Sequence, residues 1–202
     1  MSKRAAPAQG ACDNLRRRIN FREVRQRFLI VCEGEKTEPN YFRSFRVPRD
    51  VVDVRGLGDN TLNLVKKALE LRRDDDYDQV WCVFDRDDFP TQNFNAAVEL
   101  ARKSGLHVAY SNEAFELWYL LHFNYHDTAI SRRDYITKLS KLLGRPYVKN
   151  SERMYAELEG RQADAIRNAH RLLAQRDPSN PAFDNPSTTV HLLVEQLNRF
   201  IQ

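Results

Sequence analysis

Cysteine is scarce in this chain. There are three in 202 residues, Cys12, Cys32 and Cys82, an odd number with no CxxC pair. That speaks against a disulfide framework and for free thiols in a reducing cytoplasm. Cys32 and Cys82 lie inside apolar runs and are expected as small core residues. No apolar run approaches the ~20 residues that cross a bilayer, so no membrane partner is expected. The opening Met1-Ser2-Lys3-Arg4 has no apolar stretch behind it, so no secretory signal is expected either. Glycine is sparse too, at 7 residues. Gly56-Leu57-Gly58 lacks the flanking glycines, or the Gly-Lys-Ser/Thr ending, of a nucleotide-binding loop, and no Ser-His-Asp signature is recognisable.

What the chain has in quantity is charge, segregated by sign. The net charge is +4. Residues 1–27 carry +6, residues 28–130 carry −6, residues 131–176 carry +6 and residues 177–202 carry −2. An acidic half beside a basic half suits an enzyme that holds metal with one and a polyanion with the other. For any one of these cations, a solvated helix face is the plainer reading.

Residues 1–24 mix Ala, Pro, Gly and Arg without periodicity and read as a flexible basic arm. From there to residue 112 strand and helix signals alternate. Strand-like runs are Arg27–Cys32, Val51–Val54, Val80–Phe84 and Leu106–Tyr110. The intervening helices start at Thr37 (as N-cap, with Pro39 in the first turn), at Asn60-Thr61 and at about Phe94. This is the signature of an α/β layer with a mainly parallel sheet flanked by helices. After Tyr110 the strand signal fades. Residues 113–202 read as a helical region packed on the core. Its helices are expected over Ala114–Leu121, Arg133–Leu143, about Gln162–Gln175 and a last stretch through Val190, Leu193, Val194 and Leu197, with Asn185 and Ser187 as caps.

In parallel α/β sheets ligands gather at the carboxyl ends of the strands. Glu33 and Asp85 each follow an apolar strand run directly, and Asp87 lies two residues beyond Asp85. If the two strands are neighbours, these carboxylates share one edge. Hard oxygen ligands of this kind suit Mg²⁺ or Mn²⁺, which can orient water and stabilise a phosphoryl transition state. The alternative for Asp85–Asp88 is an ordinary acidic turn. Glu116 sits in a strongly apolar helix and needs a partner or a function; it completes a second metal site or holds a basic residue. His122 and His126 have helical i, i+4 spacing but no third ligand, so His122 is expected as a satisfied, partly buried side chain. Arg132, Arg133, Lys138, Lys141, Arg167 and Arg171 are candidates to track a nucleic-acid backbone.

The run Leu29-Ile30-Val31-Cys32-Glu33-Gly34 followed by Asp85-Arg86-Asp87 resembles the TOPRIM domain of topoisomerases, bacterial primases and OLD-family nucleases. The longer string Cys32–Phe42 (CEGEKTEPNYF), with Ser111–Trp118, Leu121-His122-Phe123 and Asn185–Thr188, is more similar to the RloB family, over about residues 25–200. The resemblance implies a TOPRIM-like core over residues 25–112 and a metal-dependent nuclease of phage defence, of the abortive-infection kind. Its substrate would be DNA or RNA, tRNA included. An ATPase encoded nearby is an implied partner, and oligomers are compatible with it. Carried over by position, Glu33 would be the first metal ligand or general acid/base, with Asp85 and Asp87 as metal ligands. Glu38 matches the second acid of the OLD-like pattern one residue late. Lys149 is the best-placed counterpart of the OLD-like downstream lysine, able to neutralise a phosphate or leaving oxygen. The competing reading is a noncatalytic TOPRIM-like module that binds nucleic acid or the partner ATPase.

Overall fold

The computed structural model describes residues 26–48, 50–86 and 90–200. Among them the strands form one five-stranded sheet in the order β2-β1-β3-β4-β5. Strands β1 (Phe28–Cys32), β2 (Val52–Gly56), β3 (Gln79–Asp85) and β4 (His107–Asn112) are parallel, and β5 (Ser187–Thr188) runs antiparallel to β4. The fold is α/β, as the alternation of signals predicts.

Alternate residues along each strand feed two separate cores, as the two-residue period of a pleated strand requires. Leu29, Val31, Val80, Cys82 and Phe84 pack under helices α2 (Thr61–Asp74) and α3 (Thr91–Lys103). Phe28, Ile30, Cys32, Trp81 and Val83 face the other way. There they meet α1 (Thr37–Arg43), α4 (Glu116–Leu121), α5 (Arg132–Leu143), α6 (Met154–Leu158), α7 (Gln162–Leu173) and α8 (Val190–Asn198). Both described cysteines, Cys32 and Cys82, are free and buried. No described helix is long and apolar enough to cross a membrane.

Several local expectations are corrected. Thr37 is the first residue of α1 rather than its N-cap, because its hydroxyl donates to Asn150 Oδ1 at 2.7 Å. Helix α3 begins at Thr91, three residues before Phe94, since polar positions extend a helix whose buried face starts only at Phe94. The strand signal returns late: Ser187-Thr188 add a short strand to β4, so Ser187 does not cap the last helix, and Asn185 precedes that strand. The N-cap of α8 is Thr189, whose hydroxyl makes no capping bond but donates to the Val108 carbonyl at 3.1 Å, while the Thr188 hydroxyl accepts from the Val190 N–H at 3.2 Å. Two polar residues are too short a run to announce a strand. Helix α5 opens one residue early, at Arg132, fixed by a Ser131/Asp134 capping box.

The topology positions the site. The chain goes from β1 outward to β2, then returns past β1 to β3 and continues outward to β4. The carboxyl ends of β1 and β3 therefore flank the point where the winding reverses, the usual place for a ligand crevice in such sheets.

Candidate functional site

Glu33 leaves the sheet one residue after β1, and Asp85 is the last residue of β3. The two strands are paired, so the two side chains emerge side by side. Glu33 is fixed on both oxygens: Oε1 accepts from the Thr61 hydroxyl at 2.9 Å, and Oε2 accepts from the Asp85 backbone N–H at 3.1 Å. Burial pushes its carboxyl above the ordinary range, while these two donors pull it back. Asp85 has its Oδ1 buried without a hydrogen-bond partner, and its Oδ2 lies 3.7 Å from Arg132 Nη2. Burial, and then the charges of Glu38 and Glu116, drive its carboxyl well above the usual value; Arg132 opposes them.

Glu38 comes from the first turn of α1 and is 6% exposed. Its Oε2 is buried without a hydrogen-bond partner. Burial first, and Glu116 second, raise its carboxyl, against Lys149 and Arg132. The Gly34 position makes room for it. A Cβ there would stand 3.0 Å from Glu38 Cδ and closer still to Oε2. Gly56, at the end of β2, is needed for a similar reason: a Cβ would meet the Gly34 carbonyl at 2.7 Å and Glu35 Cα at 2.8 Å. The Glu-Gly turn after β1 is thus packed on a second glycine beneath it.

Glu116, also 6% exposed, opens α4. Its hydrogen-bond partner is the Tyr147 hydroxyl, which donates to Oε1 at 3.1 Å. Lys149 is exposed on the loop that crosses the start of α1. With Gly34–Glu38 and Asn150 it lines a cleft of about 460 Å³. Asn150, in the left-handed region at φ 68°, ties that loop to α1: Asn40 Nδ2 donates to its carbonyl at 3.1 Å, beside the Thr37 bond.

The sequence-predicted acids Glu33, Glu38, Asp85 and Glu116 thus assemble at one edge: the charge of Glu38 bears on Glu33 and Asp85, and that of Glu116 on Glu38 and Asp85. Asp87 lies outside the described residues. The donor chemistry fits a hard divalent cation, with two buried carboxylate oxygens left without hydrogen-bond partners. Among the described residues, however, no three His, Cys, Asp or Glu side chains already stand close enough together to form a cage for an ion. A larger hollow of about 590 Å³ lies at the amino end of β1 and along β2, around Arg27, Arg43 and Tyr77, and holds none of these acids.

The predicted cations divide. Arg132 faces the cluster through Asp85. Arg133 follows it on α5. Lys138 and Lys141 line a separate hollow of about 230 Å³ with Asn124 and His126. Arg167 pairs with Asp164, and the Arg171 guanidinium lies 3.8 Å from the centre of the Tyr125 ring. His122 is more deeply buried than expected, at 1% exposure, with Nδ1 2.8 Å from the Trp118 carbonyl. It takes no part in the cluster. Sequence reasoning missed Thr61, Tyr147 and Asn150. Of these only Thr61 carried a usable signal, as the opening of a helix next to the β2 edge.

Fold and site together define a doubly wound α/β protein with a buried acidic cluster at its topological switch point. The chain belongs to the RloB-like protein family, whose model matches residues 28–197. No curated protein and no solved structure matches it.

Proposed function

We propose that this protein is a metal-dependent nuclease of TOPRIM type that acts on nucleic acid, either DNA or RNA, with tRNA one candidate substrate, in cytoplasmic phage defence. The observation that carries the reading is the buried cluster at the carboxyl edge. Acids this deeply buried raise one another's proton affinity, and two of their oxygens, Glu38 Oε2 and Asp85 Oδ1, have no hydrogen-bond partner. Acids crowded together in a buried site with raised proton affinities mark a functional-site candidate. Membership in the RloB-like family adds support.

Glu33, Glu38, Asp85 and Glu116, with Asp87, are the residues to hold Mg²⁺ or Mn²⁺. The bound ion would neutralise phosphate charge and activate water for attack on phosphorus. The protein's own side chains have distinct tasks. Thr61 and the Asp85 N–H fix the Glu33 carboxylate in one orientation. Tyr147 fixes that of Glu116. Lys149, which lines the same cleft as Glu38, would meet a phosphate oxygen. Arg132, Arg133, Lys138, Lys141, Arg167 and Arg171 lie on helices α5 and α7 and would hold the flanking backbone.

The test is purified protein with Mg²⁺ or Mn²⁺ against plasmid DNA, single strands and tRNA, beside Asp85→Ala. Cleavage by the wild type alone is expected. The same products from both proteins would sink the assignment. If neither cuts but both bind nucleic acid or the neighbouring ATPase, the noncatalytic module is the better description.

A further inference from the structure

Among the described residues, three large apolar side chains are exposed: Ile136 at 42%, Val148 at 58% and Phe183 at 68%. Each stands beside a residue of the acidic edge. Val148 precedes Lys149, Ile136 lies one helical turn beyond Arg132, and Phe183 follows Ala182, whose carbonyl accepts from Arg86 Nε at 3.3 Å. Arg86 in turn directly follows Asp85. Phe183 is the aromatic one and the most exposed.

A single exposed apolar side chain is ordinary on a protein surface, so what sets Phe183 apart is the way its loop is held. The loop that carries Phe183 is not loose. Three side chains from separate parts of the chain hold it. Asn112 Nδ2, at the end of β4, donates to the Pro181 carbonyl at 2.9 Å in a buried contact. Asn95 on α3 accepts from the Ala182 N–H at 3.1 Å through Oδ1 and donates to Asn180 Oδ1 at 2.8 Å through Nδ2. Arg86 supplies the third anchor. Inside the loop, Asp184 accepts from the Asn180 N–H at 2.7 Å, and the Phe183 N–H donates to the Asn180 carbonyl at 2.8 Å. Ala182 is buried in the core shared with α2 and α3. A segment fixed at both neighbours of Phe183, yet leaving the ring in water, forgoes the roughly 2 kcal/mol that burying such a ring brings.

We propose that Phe183 is a stacking platform for an unpaired nucleobase, so that the site takes single-stranded or unpaired nucleic acid rather than a closed duplex. This rests on the nucleic-acid reading of the cluster. An aromatic ring has one chemistry to offer beside a phosphate site, the face of its π-system, and any base can use it. In a duplex the bases are already stacked on one another and cannot reach it. The surrounding charge fits the rest of such a strand: Arg132 lies 3.7 Å from Asp85 on one side, and Lys149 lines the cleft on the other. A base on Phe183 would anchor a strand whose neighbouring phosphates pass that edge.

The experiment is fluorescence anisotropy in EDTA, which prevents metal-dependent cleavage, with a labelled single strand of mixed sequence and with the same strand annealed to its complement. Wild type, Phe183→Ala and Phe183→Trp are compared; an exposed position tolerates all three without loss of fold. Phe183→Ala should bind the single strand roughly 5- to 150-fold more weakly, the range of one base stack. Phe183→Trp should restore it, and duplex affinity should not move. Equal loss on both strands, or no loss on either, overturns the platform. So does a wild type that ignores single strands, and the exposed ring is then a protein-docking contact. Cleavage does not enter the measurement. A protein that binds by this pattern but never cuts keeps the platform and sinks the nuclease.

Discussion

Replacing Glu38 by glutamine separates what the acidic cluster does for the fold from what it does for a ligand. Glutamine keeps the shape and removes the charge. Glu38 is 6% exposed, its Oε2 has no hydrogen-bond partner, and the charge of Glu116 raises its proton affinity. Two like charges ~6 Å apart at an effective dielectric of ~20 repel by about 3 kcal/mol. The raised proton affinity of Glu38 already relieves part of this, and an amide remains a buried polar group, so the expected net gain in stability is about 1 kcal/mol. For a chain of this length that is a rise in Tm of about 2–4 °C. The ligand term has the opposite sign. A cation present at about 100 times its dissociation constant stabilises the wild type by about 2.7 kcal/mol, and the variant should gain little of it. Thermal melts of both proteins in EDTA and in a Mn²⁺ series should therefore cross: the variant melts higher without metal and lower with it. If Glu38→Gln melts lower in EDTA, or shifts with Mn²⁺ as far as the wild type, then Glu38 is an ordinary structural carboxylate and the metal assignment loses this ligand.

Gly34→Ala should leave overall stability within about 1 kcal/mol, because the stiffer backbone offsets a displaced side chain. It should still abolish the Mn²⁺-dependent rise in Tm, since the new methyl occupies the place of the Glu38 carboxylate; an undiminished rise would show that this carboxylate is free to lie elsewhere. Tyr147→Phe strips the described hydrogen bond from the buried Glu116 and should cost about 1–3 kcal/mol in denaturant melts; a loss below about 0.5 kcal/mol would mean that water replaces the hydroxyl. Acid should act through His122 and His191, which burial pushes down to about 4 and about 3. The folded chain refuses protons that the unfolded chain takes up below about 6.5, so stability falls as pH drops through that value, by about 1.4 kcal/mol for each histidine by pH 5.5. The raised carboxylates act in the opposite direction, so the measurement is a difference: between pH 7.5 and 5.5, His191→Leu should lose about 1.4 kcal/mol less than the wild type, and an equal loss would mean that His191 is not held neutral.

The parts of this molecule that the sequence makes legible are those whose cause is local. Val80–Phe84 reads as a buried strand because five apolar residues in a row must be covered on both faces, and β3 is covered by both cores. Glu33 and Asp85 read as site residues because each ends such a run, and strand pairing then brings them together. Nothing local announces β5: Ser187 and Thr188 become a strand through hydrogen bonds to a partner more than seventy residues away, such as that from the Thr188 hydroxyl to the Tyr110 carbonyl at 2.9 Å. The same holds for Tyr147 and Asn150. Each looks like an ordinary loop residue until the loop is laid across α1 and α4.

The position of the acids, by contrast, carries a physical argument that does not depend on the fold's details. A sheet edge crowded with Glu33, Glu38, Asp85 and Glu116 is a poor way to stabilise a protein. Its nearest cations, Arg132 and Lys149, moderate the proton affinities of Asp85 and Glu38 but leave them raised. A single substitution such as Glu38→Gln would relieve it. Simple acidic turns do not need a glycine such as Gly34 to admit a second carboxylate behind the first. Strain of this kind is expected where a ligand of opposite charge relieves it. The cluster is therefore better explained by the cation it would hold than by any contribution it makes to the empty fold, and the crossing of the two melting curves is the measurement that decides between them.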